Sequence, residues 1–290
     1  MKMLLGHEWV DRDDTIDVRD PFDDSIIDTV PGANHDDVEM ALATADKAKE
    51  TARAMTTYER ARVLYGTAQI IAGRIDEFAE VIAREGSKTI NEARGEARRC
   101  VNTLTISAEE AKRCQGETIP FDSFPGGEAR SGHYERVPIG VVLAITPFND
   151  PLNLVAHKLG PAIAGGDAVI LKPATVTPLS ALKLTEAFME AGLPAGVLQC
   201  ITGYGAVLGD ALVEDSRVRM VSFTGGVEAG ERIMSRIGLK KVGMELGSNS
   251  PVIVWKDADV DWAVETCVSG AFWAAGQNCI GVQRIYCLLY

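Results

Sequence analysis

The sequence predicts a doubly wound α/β fold, a parallel sheet covered by helices on both faces. Short, continuously apolar runs carry that expectation: VVLAIT from Val141, AVILK from Ala168, VLQCIT from Val197, VRMVSFT from Val218 and KVGMEL from Lys241. Helical stretches near 152–164, 178–191, 206–213 and 227–237 separate them. Strands without strict alternation suit a sheet buried on both faces, and a helix between consecutive strands is the crossover that parallel pairing needs. At 290 residues, 46% of them hydrophobic, the chain is long enough for about two domains with their own cores.

The preceding elements follow from periodicity and punctuation. From His35 to Gly116 the sequence is Ala-rich with helical spacing, for example Val63, Leu64, Ala68, Ile71 and Ile75 on one face, which predicts two or three long helices starting at Asn34 or His35. The Pro- and Gly-punctuated stretch ETIPFDSFPGGEARSGHYERVPIG predicts a projecting β-hairpin over 118–137. Beyond the apolar runs come an amphipathic helix near 259–274 and a terminal β-run.

Charge and cysteine usage exclude several function classes. With 29 basic against 41 acidic residues and no basic block, the field repels nucleic acid and anionic lipid heads. The N-terminus lacks a secretory apolar region and no run reaches membrane-spanning length, so a cytoplasmic protein is expected. The six cysteines form no Cys-x-x-Cys pair and have no His cluster beside them, which argues against a metal site or a disulfide framework.

Ligands of doubly wound sheets bind beyond the carboxyl ends of the strands. There the sequence places Asn149, Lys172, Gly203 and Gly205, Thr224-Gly225-Gly226, and Glu245, a set that marks a ligand crevice. Gly203-x-Gly205-x-x-x-Gly209 and Gly225-Gly226-x-x-x-Gly230 are either tight βα turns or places where a helix N-terminus meets a pyrophosphate; together in a βαβ series they favour a nucleotide. Glu245, between apolar Val242, Met244 and Leu246, is either a desolvated general base or the partner of Lys240 or Lys241. Cys279, among Gly276, Gln277, Asn278 and Gly281, is the best nucleophile candidate, whereas Cys100, Cys114, Cys200 and Cys267 fall in helical or strand patterns and read as packing residues. His157 reads as helix packing, and Trp255, Trp262 and Trp273 as core or helix-face residues.

The stretches ITPFNDPLNLVAHKLGPAIAGGDAVILKPATVTPLSA, GLPAGVLQCITG, VSFTGGVEAGERI, MELGSNSPVIV and AGQNCIGVQRIY, in that order, closely resemble the aldehyde dehydrogenase superfamily. The resemblance implies an NAD- or NADP-dependent oxidation of a small aldehyde to a carboxylic acid. Cys279 would be the nucleophile, Asn149 with the Cys279 backbone N–H would hold the oxyanion, Glu245 would activate the hydrolytic water, and Lys172 would hold the adenosine ribose. It places the dinucleotide among Thr146, Pro147, Phe148, Lys172, Thr175, Thr224, Gly225, Gly226, Gly230, Glu245 and Leu246. It divides the chain into an NAD(P)-binding domain (1–117 and 138–246), an oligomerisation hairpin (118–137) and the start of a catalytic domain (247–290), within a homodimer or homotetramer.

The departures carry their own expectations. Thr175 replaces a glutamate that grips both ribose hydroxyls in NAD-preferring relatives, so NADP fits as well as NAD. Ser248 in ELGS and Gly226 after FTG are subfamily variations, and Asp150 beside Asn149 points to a small polar aldehyde rather than an anionic one. The chain stops at Tyr290, 11 residues past Cys279, with an apolar CLLY where the family turns charged, which implies C-terminal truncation. On that reading the hairpin edge and one helix face lack partners, and the polypeptide alone binds dinucleotide weakly, aggregates and is inactive. A coenzyme A-acylating dehydrogenase and a non-catalytic nucleotide-binding fragment are the alternatives; Glu245 favours hydrolysis over acylation.

Overall fold

The computed structural model describes residues 1–86 and 88–288. Four short strands open the chain, β1 (Met3–Leu5), β2 (Glu8–Val10), β3 (Thr15–Arg19) and β4 (Ile26–Pro31). Then come helices α1 (His35–Ala54), α2 (Thr57–Gly73), α3 (Ile75–Glu85) and α4 (Ile90–Ala111), four where periodicity predicted two or three. Asn34 starts α1 with a reciprocal capping box to Asp37, and Thr56–Glu59 and Thr89–Glu92 do the same for α2 and α4. These local caps explain why one long Ala-rich stretch divides where it does.

The hairpin forms with two-residue strands, β5 (Glu117–Thr118) against β6 (His133–Tyr134). The alternating series follows in the expected order: β7 (Val141–Ile145), α5 (Asn153–Gly165), β8 (Ala168–Lys172), α6 (Leu179–Glu190), β9 (Leu198–Cys200), α7 (Gly205–Glu214), β10 (Val218–Thr224), α8 (Val227–Met234) and β11 (Lys241–Glu245). Then β12 (Pro251–Val254) pairs in parallel with β13 (Arg284–Cys287) across α9 (Val260–Phe272).

The main sheet has the order β11-β10-β7-β8-β9-β1-β2, its first five strands parallel and the N-terminal hairpin β1–β2 added antiparallel. Strand alternation divides the core in two. Val141 and Leu143 face the layer of α1 and α7, while Val142 and Ala144 face α2, α4, α5 and α6. All four are buried, as the lack of polar alternation required, and emptying one such position, Leu143→Ala, costs about 2–5 kcal/mol.

Strand order reverses at β7, with β8 on one side and β10 on the other, so the crevice lies beyond their carboxyl ends. The register Ile145 with Lys172, Phe223 with Ile145 and Thr224 with Glu245 brings the predicted strand-end residues to one rim.

Two packing expectations are corrected. Cys114 lies past the end of α4 and is exposed. Trp255 is exposed just after β12, neither in the core nor on a helix face. The apolar face of α9 lacks a covering partner, as expected: of Val260, Ala263, Val264, Cys267 and Ala271 only Cys267 is buried, and Trp262 and Phe272 on the same helix are exposed. No described helix is long and apolar enough to cross a membrane. Leu289 and Tyr290 of the CLLY terminus lie outside the described residues.

Candidate active site

Two cavities open at the rim of the sheet. The first, about 440 Å³, lies between α7 and α8 and is lined by Gly205, Gly209, Glu228 and Arg232, with Lys172 and Phe223 at its floor. The first glycine-rich turn therefore borders this cavity through Gly205 and Gly209, and the second motif reaches it through Glu228 and Ala229 of α8. Packing accounts for two of the glycines: a Cβ at Gly225 would lie 2.5 Å from the Phe223 ring, and one at Gly230 would lie 2.7 Å from Leu246 Cδ2. Gly226, at the N-terminus of α8, faces open space.

Lys172 is buried at the end of β8, its Nζ donating to the Pro173 carbonyl at 2.9 Å. Loss of hydration drops its pKa from 10.5 to about 8. Thr175 Oγ donates to the Gly203 carbonyl at 3.0 Å, tying the loop after β8 to the loop after β9. Thr146 and Thr224 are buried, Pro147 half-buried and Phe148 exposed around the mouth of the crevice. The buried Thr146 Oγ has no hydrogen-bond partner among the described residues.

The second cavity, about 420 Å³, brings together Asn149 and Cys279, 130 positions apart, with Arg99, Asp150, His157 and Trp273. The thiol is partly exposed, as its small and polar neighbours implied. The turn leading to it is bent by Ala274 and Ala275 at φ 51° and 56°, a left-handed geometry that costs non-glycine residues about 1–2 kcal/mol each. The Ala274 N–H donates to Glu92 Oε1 at 3.2 Å, an anchor from α4 that helps hold this turn.

Glu245 is exposed, so the apolar enclosure expected from Val242 and Met244 is not there. The reason is position: β11 is the edge strand of the sheet, and Val242 is itself exposed. Lys240 reaches the Val213 carbonyl instead of Glu245. The cation that Glu245 influences is Lys158 on α5, whose Nζ donates to Ser222 Oγ at 3.1 Å and Thr224 Oγ1 at 2.9 Å. Burial lowers the Lys158 pKa from 10.5 to about 8, and the Glu245 charge opposes that fall.

Sequence reasoning missed Lys158 and assigned His157 to packing. Both lie on α5, whose other side chains are uncharged, and two adjacent titratable residues in such a helix were the available signal. His157 instead lines the cavity with Cys279, and burial, Arg99 and Lys158 push its pKa down, toward the neutral imidazole. Among the described residues no group of three His, Cys, Asp or Glu is placed to hold a metal ion.

Known proteins resemble this chain in sequence and in fold. The chain is 53% identical over 270 residues to aspartate-semialdehyde dehydrogenase 1 of Pseudomonas canavaninivorans, covering 93% of this chain and 57% of that protein. It is 49% identical over 285 residues to 3-sulfolactaldehyde dehydrogenase of Priestia aryabhattai, covering 98% and 59%. The crystal structure of NADP-dependent glyceraldehyde-3-phosphate dehydrogenase from Bacillus halodurans C-125, complexed with NADP, superposes with a TM-score of 0.95 at 37% identity, over 99% of this chain and 61% of that one. The chain thus spans a little over half the length of these relatives. The profile of the aldehyde dehydrogenase family matches residues 9–288, and the chain belongs to that family.

Proposed function

We propose that this chain carries the dinucleotide-binding half and the nucleophile of an NAD(P)-dependent dehydrogenase that oxidises a short aldehyde to a carboxylic acid. The observation that carries the reading is that Asn149 and Cys279 line one cavity while Lys172, the Gly205 and Gly209 turn and the first residues of α8 line another at the same sheet rim. In this proposal residues 1–117 and 138–246 hold the dinucleotide, and 247–290 present the thiol. The residues that fit the cofactor are Lys172 and Thr175 toward the adenosine ribose and Gly226 at the N-terminus of α8 toward the pyrophosphate.

Cys279 Sγ adds to the carbonyl carbon, and the Asn149 side-chain amide donates to the oxygen that gains the negative charge. A bound nicotinamide would supply the hydride acceptor for this carbon, which leaves a thioester on Cys279. Glu245, exposed to solvent, takes a proton from the water that cleaves the thioester, releasing carboxylate and thiol. The aldehydes in the three relatives' names bear a carboxylate, a sulfonate and a phosphate, so an acidic short aldehyde is the first class to try.

The test is binding of NADP and NAD by fluorescence, followed by cofactor reduction with a panel of short aldehydes. Reduction without coenzyme A supports the proposal. Reduction only with coenzyme A gives the acylating alternative, and binding without reduction gives the non-catalytic one.

A further inference from the structure

We propose that Arg99 sets the substrate class of the Cys279 cavity by holding an oxyanion at the far end of a short aldehyde whose carbonyl lies at the thiol; the inference rests on the dehydrogenase reading above. A four-charge cluster borders the cavity. Asp150 Oδ1 meets Lys88 Nζ, Lys88 Nζ also meets Glu96 Oε2, and Asp150 Oδ2 accepts from Arg99 Nη2 at 2.9 Å. Lys88, Glu96 and Asp150 are buried, whereas the Arg99 side chain is 45% exposed and lines the cavity.

Two cations and two carboxylates cancel, so the Asp150 charge that pointed to a neutral substrate is already engaged by Lys88 and Arg99. What remains directed at the cavity is donor capacity. Of the N–H groups on the Arg99 guanidinium, those on Nη2 alone have an acceptor among the described residues. Its guanidinium carbon stands 5.6 Å from the centroid of the Trp273 ring, which also lines the cavity. A guanidinium held at one nitrogen by Asp150 and beside an aromatic ring keeps its remaining donors for the oxygens of a carboxylate, sulfonate or phosphate. His157 lines the same cavity, and burial with the charges of Arg99 and Lys158 pushes its pKa down.

Alkylation of Cys279 tests this without relying on turnover. Iodoacetate carries a carboxylate and iodoacetamide does not, and peptide mass spectrometry resolves each cysteine, with exposed Cys114 as the internal reference. The expected result is an iodoacetate-to-iodoacetamide rate ratio higher at Cys279 than at Cys114. Arg99→Gln lowers the Cys279 ratio roughly fivefold and leaves that at Cys114 alone, while Arg99→Lys, which keeps the charge, retains most of the preference.

In the cofactor-reduction assay, Arg99→Gln lowers kcat/KM for succinic semialdehyde roughly 10- to 100-fold and leaves butanal, its uncharged counterpart, nearly unchanged. Glyceraldehyde 3-phosphate and 3-sulfolactaldehyde beside succinic semialdehyde show which oxyanion fits best. An alkylation ratio indifferent to Arg99, or equal losses for the charged and uncharged aldehydes, overturns the inference. If no aldehyde reduces the cofactor but the ratio responds to Arg99, the dehydrogenase reading falls and the oxyanion site stands.

Discussion

Glu96 Oε1 accepts the backbone N–H of Asn153 at 2.9 Å from 57 positions earlier in the chain, and that of Leu152 at 2.8 Å. Helix α5 has no capping side chain of its own, and α4 supplies one. The same device recurs at α6, where Glu85 accepts from Leu179 at 2.7 Å and Ser180 at 2.8 Å. The helices after β7 and β8 thus have their N-termini closed by carboxylates from the helical layer, which fixes the loops carrying Asn149 and Thr175.

Glu96→Ala removes two capping bonds and leaves the buried Lys88 with one carboxylate. Loss of a buried charge partner costs about 3–5 kcal/mol, and Glu96→Gln, which keeps an acceptor oxygen for the helix, is expected to cost less. Urea unfolding of the two variants measures the difference. A Glu96→Ala variant within 0.5 kcal/mol of the parent, roughly the scale of an ordinary surface change, would show that the cap contributes little.

Glu85 links stability to pH. Burial raises its carboxyl from 4.5 to about 7, outweighing the bonds from Leu179 and Ser180. The folded state therefore holds a proton that the unfolded chain releases, so this contribution is fully present below about pH 4.5 and is lost as pH rises through about 7. Its size is on the order of 3 kcal/mol. Glu85→Gln cannot titrate, and the stability of the variant relative to the parent should climb by that order between these limits. Parallel stability curves would contradict the buried-carboxyl account.

Cys279→Ala is expected to abolish aldehyde-dependent cofactor reduction while dinucleotide affinity stays within a few-fold, because the thiol borders a different cavity from Lys172, Gly205 and Gly209. Cys267→Ala, buried on α9, is the comparison. Equal loss in both variants would move the nucleophile elsewhere.

Glu245→Gln should keep the first hydride transfer and slow thioester hydrolysis, giving a burst of reduced cofactor followed by slow turnover in stopped flow. Loss of the burst would assign Glu245 to activating the thiol.

The doubly wound core was legible because strands buried on both faces cannot alternate, and VVLAI and AVILK show it directly. The crevice residues were legible because topology fixes where strand ends lie. The Lys88, Glu96, Asp150 and Arg99 cluster was not, since its members come from α4, the segment before it and the loop after β7, and helical spacing treats Glu96 and Arg99 as solvated charges. The exposure of Glu245 was also hidden, because a strand's composition does not reveal that it sits at a sheet edge. The strands β1 and β2 extend the sheet with only three residues each, too short for a periodicity to register.

Cofactor preference is the last consequence. Thr175 is uncharged and half-buried, with Oγ spent on the Gly203 carbonyl at 3.0 Å, and Lys172 lies three residues before it with a pKa near 8. A 2′-phosphate beside this pair meets a cation and no carboxylate from Thr175. Thr175→Glu places a negative charge there and should disfavour NADP relative to NAD by on the order of 2 kcal/mol. Thr175→Ser keeps the bond to Gly203 and should leave the ratio of the two affinities unchanged, which separates charge from loop disruption. Fluorescence titration with NADPH and NADH reads both ratios. If Thr175→Glu weakens both cofactors equally, the loop has been disturbed and Thr175 does not face the ribose.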